Sequence, residues 1–325
     1  MKRSARIRRW ALSVGAALLG IAPGAFALMA GQSPDSPAAR VDPNAASSIY
    51  AGVGSVVVGG APLSGVVIAN QYVLTAAHVV NGQAPSSIQF VLNLNGATQW
   101  VSAVESVTIY PTYSFPYDDL AVLKLVNTVP SSVPIYQLYA GPLTTGITIT
   151  LAGYGGSGNG NVGVTVSASS SVKRTGTNVV DALQQTLDTS GLISRFYVYD
   201  FDGPTGNGSL GGPTLGNSTE TLVAVGDSGS PAFVRSGNSL QLFGINNFVA
   251  SATGGTVNYQ FGTVGGGIVA ADPRFAAWLQ NATRGTLGQS SISGGDAPLP
   301  SWALLLLAIV LCAVSIRRPS RVNVV

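Results

Sequence analysis

Short apolar runs separated by turn-forming residues fill the central part of this chain. The runs mix apolar and polar positions over a few residues, which is the pattern of half-buried β-strands, and Gly, Asn, Ser and Pro divide them. The predicted strands cover 53–58, 66–68, 88–94, 101–109, 120–126 and 147–151. Within 65–74, two apolar strands flank an Asn70-Gln71 turn. The pattern predicts an all-β fold.

The N-terminal end has a different pattern. Five basic residues in the first nine positions precede an apolar run over 10–21, and Ala25-Phe26-Ala27 supplies small residues suited to signal-peptidase cleavage. Residues 1–27 are therefore predicted to be a secretory signal peptide. The general secretory route fits this arrangement, and the Arg8-Arg9 pair leaves twin-arginine export as the alternative.

Segments of biased composition flank the predicted β domain. Residues 28–48 are rich in Ala, Pro and Ser and are predicted to be a leader or linker, and residues 283–297, rich in Gly and Ser, a flexible linker. Residues 298–325 contain a 15-residue apolar run, 302–316, followed by arginines. That run is short for a membrane span of about 20 residues. We predict a membrane or sorting segment whose basic tail stays cytoplasmic.

The net charge of +3 is a property of the two ends. Eight of the 16 basic residues lie within 1–9 and 317–321, and all 13 acids lie between these ends, so the body is near −5. This balance argues against a nucleic-acid partner. The single cysteine, Cys312, lies in the C-terminal apolar run, so the body has no internal disulfide and must rely on its core.

Three residues in well-marked contexts carry the candidate chemistry. His78, the only histidine, follows Leu-Thr-Ala-Ala; Asp119 opens the strand predicted at 120–126; and Ser228 lies within Gly-Asp-Ser-Gly. A serine hydroxyl is a weak nucleophile until a base takes its proton, and imidazole suits that exchange at neutral pH. A buried carboxylate orients the imidazole and stabilises its charged form. We assign Ser228 as nucleophile, His78 as general base and acid, and Asp119 as the orienting acid.

The glycines around Ser228 predict an oxyanion hole. They permit a strained loop with close backbone approach, and the N–H groups of Gly226 and Ser228 are the predicted donors. The order of the three residues excludes two other hydrolase classes. An α/β-hydrolase requires a histidine after Ser228, and none follows. A subtilisin-like order requires an acid motif early in the chain, and neither Asp35 nor Asp42 has one.

These blocks resemble the trypsin/chymotrypsin family of serine proteases. The Thr-Ala-Ala-His, Asp-Leu-Ala-Val and Gly-Asp-Ser-Gly motifs occur in that family's order, and weaker similarity extends over about residues 50–282. The resemblance implies a domain over 49–282 with two antiparallel six-stranded β-barrels, at about 49–135 and 136–282, and a short C-terminal helix. It also implies an exported serine endopeptidase that acts on protein or peptide substrates through an acyl-enzyme, without a metal or organic cofactor.

Some positions depart from the family's pattern. Members often begin with Ile-Val-Gly-Gly, whose amino group pairs with the acid before the nucleophile, here Asp227, and that sequence is absent. Cleavage after Arg40 would free a Val41 amino group; the alternative, which we favour, is that activation needs no cleavage there. Asn247 stands where relatives commonly have a serine that supports the catalytic acid. A catalytically inactive, protease-like domain for binding or surface structure is therefore the alternative function.

The resemblance also predicts a specificity pocket. Leu222 falls at its base, and Val249 and Gly267 on its walls. A base without an acid predicts an apolar or small residue before the scissile bond rather than Arg or Lys. Farther from this pocket, the Asp-x-Asp-Gly sequence at 200–203 begins like a calcium loop, but the remaining ligands do not follow at matching spacing, which favours turn carboxylates.

The C-terminal end resembles bacterial protein-sorting tails of the PEP-CTERM type. Pro298-Leu299-Pro300-Ser301 precedes a short apolar helix and an arginine cluster, although the family's own motif reads Pro-Glu-Pro. The resemblance implies export in a Gram-negative bacterium, transient retention in the membrane, an exosortase-like processing partner, and a location at or beyond the cell surface. A plain C-terminal membrane anchor helix is the alternative.

Overall fold

The structure, a computed structural model, covers the central part of the chain. It describes residues 28–96, 98–187, 191, 193–205 and 208–289. The predicted signal peptide and the predicted membrane or sorting segment, with its anchor helix and exosortase-like partner, lie outside these residues. Within them, neither helix combines the length and the apolar character that crossing a membrane requires.

Strands are the main regular structure of the described chain. The first six are β1 (Val53–Val58), β2 (Ala61–Ala69), β3 (Tyr72–Thr75), β4 (Ile88–Asn95), β5 (Thr98–Ile109) and β6 (Ala121–Leu125). The others are β7 (Thr148–Gly153), β8 (Ser157–Asn159), β9 (Gly163–Val166), β10 (Arg174–Val179), β11 (Ala182–Leu187), β12 (Ile193–Asp200), β13 (Pro231–Ser236), β14 (Ser239–Ser251) and β15 (Thr263–Ile268). The helices are α1 (Ala77–Val80) and α2 (Ala276–Ala282), with 3-10 helices at Pro85–Ser87 and Pro273–Phe275. Each predicted strand coincides with or overlaps an observed one, so the mostly β prediction is confirmed.

The first six strands close into an antiparallel barrel in the order β1-β2-β3-β6-β5-β4. Fully buried side chains such as Val56, Val73 and Leu123 fill its interior. Gly65 lets β2 pass close over this interior, because a Cβ atom there would lie 2.8 Å from methyl groups of both Val56 and Val73. The first of the two predicted barrels is thus confirmed, and Asn70-Gln71 forms the turn between β2 and β3 as expected.

The second half forms a seven-stranded antiparallel sheet in place of the second closed six-stranded barrel that the resemblance implies. The strand order is β10-β7-β13-β14-β15-β12-β11. The sheet has seven strands, not six, because the stretch 174–187 is divided into β10 and β11 at Val180 and Asp181. The N–H groups of these two residues donate to Ile147 O and Val198 O, both at 2.9 Å. As a result β10 pairs with β7 and β11 pairs with β12, at opposite edges of the sheet.

Residues 28–48, predicted to be a leader or linker, are a packed part of the fold. Leu28, Met29 and Ala30 are fully buried. The Met29 N–H donates to Leu222 O at 2.8 Å, and the Ala30 N–H donates to Gly158 O at 2.9 Å. Composition alone misses this packing, because a few apolar residues buried together are enough to fix a segment that is otherwise small and polar.

Polar contacts hold the next part of the same segment. The Arg40 guanidinium pairs with Asp35 and donates to Thr219 O at 2.8 Å. The Val41 N–H donates to Ala38 O at 3.3 Å. The bond between Arg40 and Val41 therefore lies in a folded, hydrogen-bonded stretch, which disfavours it as an activation site.

The predicted linker at 283–297 also begins as folded chain. Thr283 is buried, and the Gly288 N–H donates to Ile68 O in β2 at 2.8 Å. The stretch 283–289 therefore packs on the first barrel, and the remainder lies outside the described residues. The glycines that suggested flexibility serve as turn residues here, since Gly288 has a φ of +72°.

One lysine is buried between the N-terminal segment and the second half. Lys173 Nζ donates to Tyr50 O at 2.8 Å and lies 3.6 Å from Asp42 Oδ1. The Asp42 N–H donates to Lys173 O at 2.9 Å. Burial lowers the pKa of Lys173 to about 8 from its ordinary 10.5, and Asp42 opposes that shift. The contacts of Lys173 fix the N-terminal segment against the second half, but burial of the charged ammonium group away from water costs free energy.

We predict a pH-dependent effect for Lys173→Met. Because the pKa is lower in the folded protein than in the unfolded chain, the folded state loses the proton first, and wild-type stability rises between about pH 8 and 10.5. The difference in free energy of unfolding, wild type minus variant, should therefore be about 2 kcal/mol larger at pH 10 than at pH 7. Urea unfolding at both pH values measures this; an unchanged difference between the two proteins would contradict it.

Candidate active site

A histidine and a buried carboxylate meet at the edge of the first barrel. His78 follows β3 and Asp119 precedes β6, and these strands are neighbours, with Thr75 opposite Ala121. His78 Nδ1 lies 2.6 Å from Asp119 Oδ2, and the His78 N–H donates to Asp119 Oδ1 at 2.8 Å. Asp119 is fully buried, whereas 26% of the His78 side chain is exposed. The carboxylate thus fixes the imidazole through Nδ1 and leaves Nε2 for another partner.

Asn247 in β14 adds a donor to this pair. Its Nδ2 donates to Asp119 Oδ2 at 3.2 Å and to Pro116 O at 3.1 Å. The neighbouring Phe115, 49% exposed, packs edge-to-face on the His78 ring with centroids 5.3 Å apart. Asn247, which replaces the serine common in relatives, therefore still donates a hydrogen bond to Asp119.

Two glycines shape the loop that carries Ser228. Gly226 has a φ of +94° and Gly229 a φ of +82°, values that favour glycine. A Cβ atom on Gly229 would lie 2.1 Å from Thr75 Oγ1 and 2.3 Å from Ser64 O. The loop therefore packs against the first barrel beside Thr75, the last residue of β3, three residues before His78. These glycines thus have the backbone conformation and the close approach that a loop of this kind needs.

Ser64 in β2 anchors the Ser228 loop to the first barrel. Its N–H donates to Ser228 O at 3.1 Å, and its Oγ donates to Gly226 O at 3.0 Å. The same Oγ accepts from the Tyr154 N–H at 3.1 Å, and Ser64 O accepts from Thr75 Oγ1 at 2.8 Å. Ser64 is fully buried, so each of these bonds replaces one with water.

The backbone around Ser228 offers two uncommitted donors. Among the hydrogen bonds of the described residues, neither the Gly226 nor the Ser228 N–H has an acceptor, whereas the Asp227 N–H donates to Ala224 O at 3.0 Å. No hydrogen bond joins Ser228 Oγ to His78 Nε2 in this part of the chain. The structure therefore brings the predicted residues onto adjoining elements, with donors available for an oxyanion.

Asp227 is almost completely buried behind the loop. Its Oδ1 accepts from the Gly155 N–H and its Oδ2 from the Ala224 N–H, both at 3.0 Å. Burial raises the pKa of Asp227 to about 8, although these two N–H groups and the charge of Arg174 lower it. No cation of the described residues forms an ion pair with it.

Comparison with known protein families agrees with this arrangement. A trypsin family model matches residues 53–263, about two thirds of the chain. The chain belongs to the trypsin family. Comparison with curated proteins gives no match. The matched domain is of the serine-protease type, so its substrate class is protein.

The three residues predicted to line the trypsin-family specificity pocket lie in the second half. Leu222 is fully buried in the apolar cluster of that half, and Val249 packs against the same cluster. Gly267 in β15 pairs with Asn246 in β14, whose carbonyl accepts from the Gly229 N–H at 2.9 Å. The pocket strands are thus tied directly to the Ser228 loop.

The carboxylates of Glu220 and Asp202 accept hydrogen bonds from nearby backbone N–H groups. Glu220 is buried, and its carboxylate accepts the N–H groups of Leu215 at 2.7 Å and Asp202 at 2.9 Å. The Asp202 carboxylate in turn accepts the Gly208 N–H. These contacts agree with the turn role preferred at 200–203. Across the described residues, no three His, Cys, Asp or Glu side chains converge as metal ligands.

Two structural residues of the site were not found from the sequence. Ser64 carries no signal, because a serine among apolar strand residues is ordinary. Asn246 stands out only as a polar residue in an apolar strand; its Nδ2 donates to Ser230 O and Oγ at 3.0 Å, and its Oδ1 accepts from Tyr197 Oη at 2.8 Å. Such pairings depend on contacts between distant strands.

We predict that Ser64→Ala destabilises the fold and loosens the Ser228 loop. It leaves the Gly226 carbonyl and the Tyr154 N–H without a partner in a buried place, which costs roughly 1–3 kcal/mol. Chemical denaturation measures the loss. Ser55→Ala is the matched control, because Ser55 lies opposite Ser64 in β1 and its buried Oγ has no partner within the described chain. Equal losses in both variants would contradict the anchoring role.

Proposed function

We propose that this chain is a serine endopeptidase that hydrolyses peptide bonds through Ser228, His78 and Asp119. The observation that carries the proposal is the His78–Asp119 pair, fixed through both carboxylate oxygens, beside a glycine-bounded serine loop with two uncommitted N–H groups. Membership of the trypsin family supports the reaction class.

In this mechanism Ser228 Oγ attacks the scissile carbonyl while His78 Nε2 takes its proton. The N–H groups of Gly226 and Ser228 bind the oxyanion, and Asp119 stabilises the imidazolium. His78 then gives the proton to the leaving amine, which leaves an acyl-enzyme on Ser228. Water, deprotonated by His78, hydrolyses that ester and restores the serine. One oxyanion donor is worth roughly 10²–10³ in rate.

The alternative function, an inactive protease-like domain for binding or surface structure, loses its main support at Asn247. The Asn247 amide donates to Asp119 Oδ2 at 3.2 Å, and this contact can orient the acid as a hydroxyl would. The departure from the family's serine is therefore compatible with catalysis, and we favour the enzyme.

We propose a preference for a small or apolar side chain before the scissile bond. Leu222 at the pocket base is apolar and buried, and Val249 on the wall fills space that a long side chain would need. The carboxylate of Glu220 is committed to backbone N–H groups, so no free acid is offered to Arg or Lys. Unpaired burial of a cationic side chain there would be costly.

We propose a cellular location for the protein from its N-terminal and C-terminal segments. A signal peptide at 1–27 would export the domain, and the apolar segment at 298–325 would hold it at the membrane, where an exosortase-like enzyme would process it. The setting is a Gram-negative cell, with the protein membrane-anchored, at the surface or released.

We further propose that signal-peptide removal activates the enzyme. Cleavage after Ala27 would create an ammonium group on Leu28, which is fully buried. Leu28 O accepts from Ser157 Oγ at 2.6 Å, two residues from Gly155, and Met29 pairs with Leu222, two residues from Ala224. Gly155 and Ala224 are the two residues that donate to the Asp227 carboxylate.

The new amino group would therefore form close to Asp227, with which no cation of the described residues forms an ion pair. A buried ammonium and a buried carboxylate each need a counter-charge, and here each supplies the other's. The pair would hold Asp227, and with it the N–H groups of the Ser228 loop, in the oxyanion-binding arrangement. Leu28, and not Val41, is therefore the proposed mature terminus, in keeping with the preference for no cleavage after Arg40.

Ser228→Ala should abolish both labelling by a fluorophosphonate probe and hydrolysis of casein by the full chain. Removing the nucleophile of a triad lowers the rate by about 10⁶-fold, which is below detection in both assays. Ser87→Ala, which changes an exposed serine far from the loop, is the matched control and should behave as wild type.

The same two assays can also contradict the proposal that the chain is an enzyme. Folded wild type that is neither labelled nor active would favour the binding domain. Activity should also rise as the pH increases through the range where imidazole loses its proton, so a flat profile from pH 5 to 8 would remove His78 as the base.

The activation proposal predicts that uncleaved precursor is not labelled by the probe. Precursor made by cell-free synthesis without membranes should remain unlabelled, and cleavage between Ala27 and Leu28 should restore labelling. Asp227→Asn should reduce labelling of the cleaved chain by roughly 10²-fold, the value of a broken buried ion pair. Equal labelling of precursor and cleaved chain would overturn the idea while leaving the triad intact.

A further inference from the structure

Two adjacent acids at the active site point to two different cations. Asp119 contacts His78, whereas the Asp118 carboxylate contacts Arg274 from the other half of the protein. Asp118 has a φ of +50°, so the backbone takes a left-handed turn between the two side chains. Such a conformation in a residue other than glycine is strained and persists where surrounding contacts hold it.

Asp118 is held as tightly as its neighbour. Its carboxylate is fully buried, and Oδ2 accepts from Thr112 Oγ1 and lies 2.6 Å from Arg274 Nη2. Its carbonyl accepts from the Leu120 N–H at 2.8 Å, which fixes the backbone on the far side of Asp119. The conformation of Asp119 is therefore bounded on both sides by contacts of Asp118.

Arg274 is a fixed cation. It belongs to the 3-10 helix that precedes α2, and its N–H donates to Asp272 Oδ1 at 3.1 Å. The guanidinium lies 5.1 Å from the ring centre of Phe275 and 5.7 Å from that of Tyr110, and it also donates to Ile193 O. Only 17% of its side chain is exposed, so its charge is weakly screened by water.

We propose that Arg274 is a positioning residue for the Asp119–His78 pair: through Asp118 it fixes the backbone of Asp119 and neutralises the buried carboxylate that precedes Asp119 in the chain. The proposal rests on the catalytic function proposed above. Without the arginine, the buried carboxylate next to Asp119 in the chain would lose this counter-charge, and the added negative charge near the site would favour the protonated imidazole over the free base.

The groups that face this pair define the expected direction. Asp119 contacts the imidazole, Asp118 precedes Asp119 in the chain and contacts Arg274, and Asp227 lies behind the Ser228 loop. Tyr113 is close to Asp119, but burial raises its pKa to about 12, so it stays neutral throughout the assay range. Removing the cation should therefore move the titration of His78 to higher pH, and removing the anion should move it to lower pH.

The test measures the titration of His78 directly. Because His78 is the only histidine of the chain, the imidazole resonance in the NMR spectrum of the full protein belongs to it alone. Arg274→Gln should raise the titration midpoint by about half a pH unit or more, and Asp118→Asn should lower it by a similar amount at low ionic strength. The double variant should return close to wild type, and the acid limb of kcat/KM should follow the same three shifts.

Two controls separate this role from a general loss of structure. Arg195→Gln removes another cation of the second half, one that pairs with Asp272 at 3.3 Å, and should leave the midpoint unchanged. Arg274→Lys keeps the charge and should stay near wild type even where packing suffers. Shifts of the same sign in Arg274→Gln and Asp118→Asn, or no shift in either, would overturn the proposal.

The NMR reading does not require turnover. If wild type showed no Ser228-dependent hydrolysis while the opposite shifts were present, the enzyme proposal would fail and the electrostatic coupling would stand. If hydrolysis were normal and the shifts absent, the coupling would fail and the enzyme would stand.

Discussion

The hydrogen bonds of Ser64 hold together a site that the chain assembles from two separate halves. The proposed base, His78, and its acid, Asp119, come from the first barrel, and the Ser228 loop comes from the second half. The distance between them therefore depends on the contacts that join the two halves. Ser64 bonds to the loop through both its backbone and its side chain. The close approach of Gly229 to Thr75 leaves no room for adjustment. The geometry of the proposed catalytic site therefore depends on this contact between the first barrel and the Ser228 loop.

Buried polar residues link distant strands in the part of the chain that the structure describes, where no cysteine is available for a disulfide. Asn178 Nδ2 donates to both Asp200 O and Thr221 O at 2.8 Å, and Asn246 links the serine loop to Tyr197. Each such amide satisfies several groups that would otherwise be costly to bury. The networks cross between strands that are distant in sequence, so they also specify which strands meet.

The sequence indicated the parts of the fold that local pattern controls. The strands of the first barrel follow from the pattern of short apolar runs, and its closure into a barrel was implied by the family resemblance. The contexts of His78, Asp119 and Ser228 follow from short motifs whose residue types suit one reaction. The break at Val180 and the packing of Leu28 were missed, because both depend on which distant backbone groups accept a hydrogen bond. The pairing of Asp118 with Arg274 was missed for the same reason: the two lie far apart in the chain, and neither has a motif.

The N-terminal segment also covers part of one edge of the second sheet, beside residues 220–221, where the Thr221 N–H donates to Thr177 O at 2.9 Å. Strand β10 lies at the sheet edge, and the Thr175 N–H there donates to Arg40 O at 2.9 Å, while Val41 bridges to Arg174. An uncovered edge strand offers unpaired backbone groups to other chains and promotes aggregation. Residues 40–41 occupy these groups within the same molecule. A stretch whose composition looks dispensable thus protects the protein from self-association wherever it folds at high local concentration.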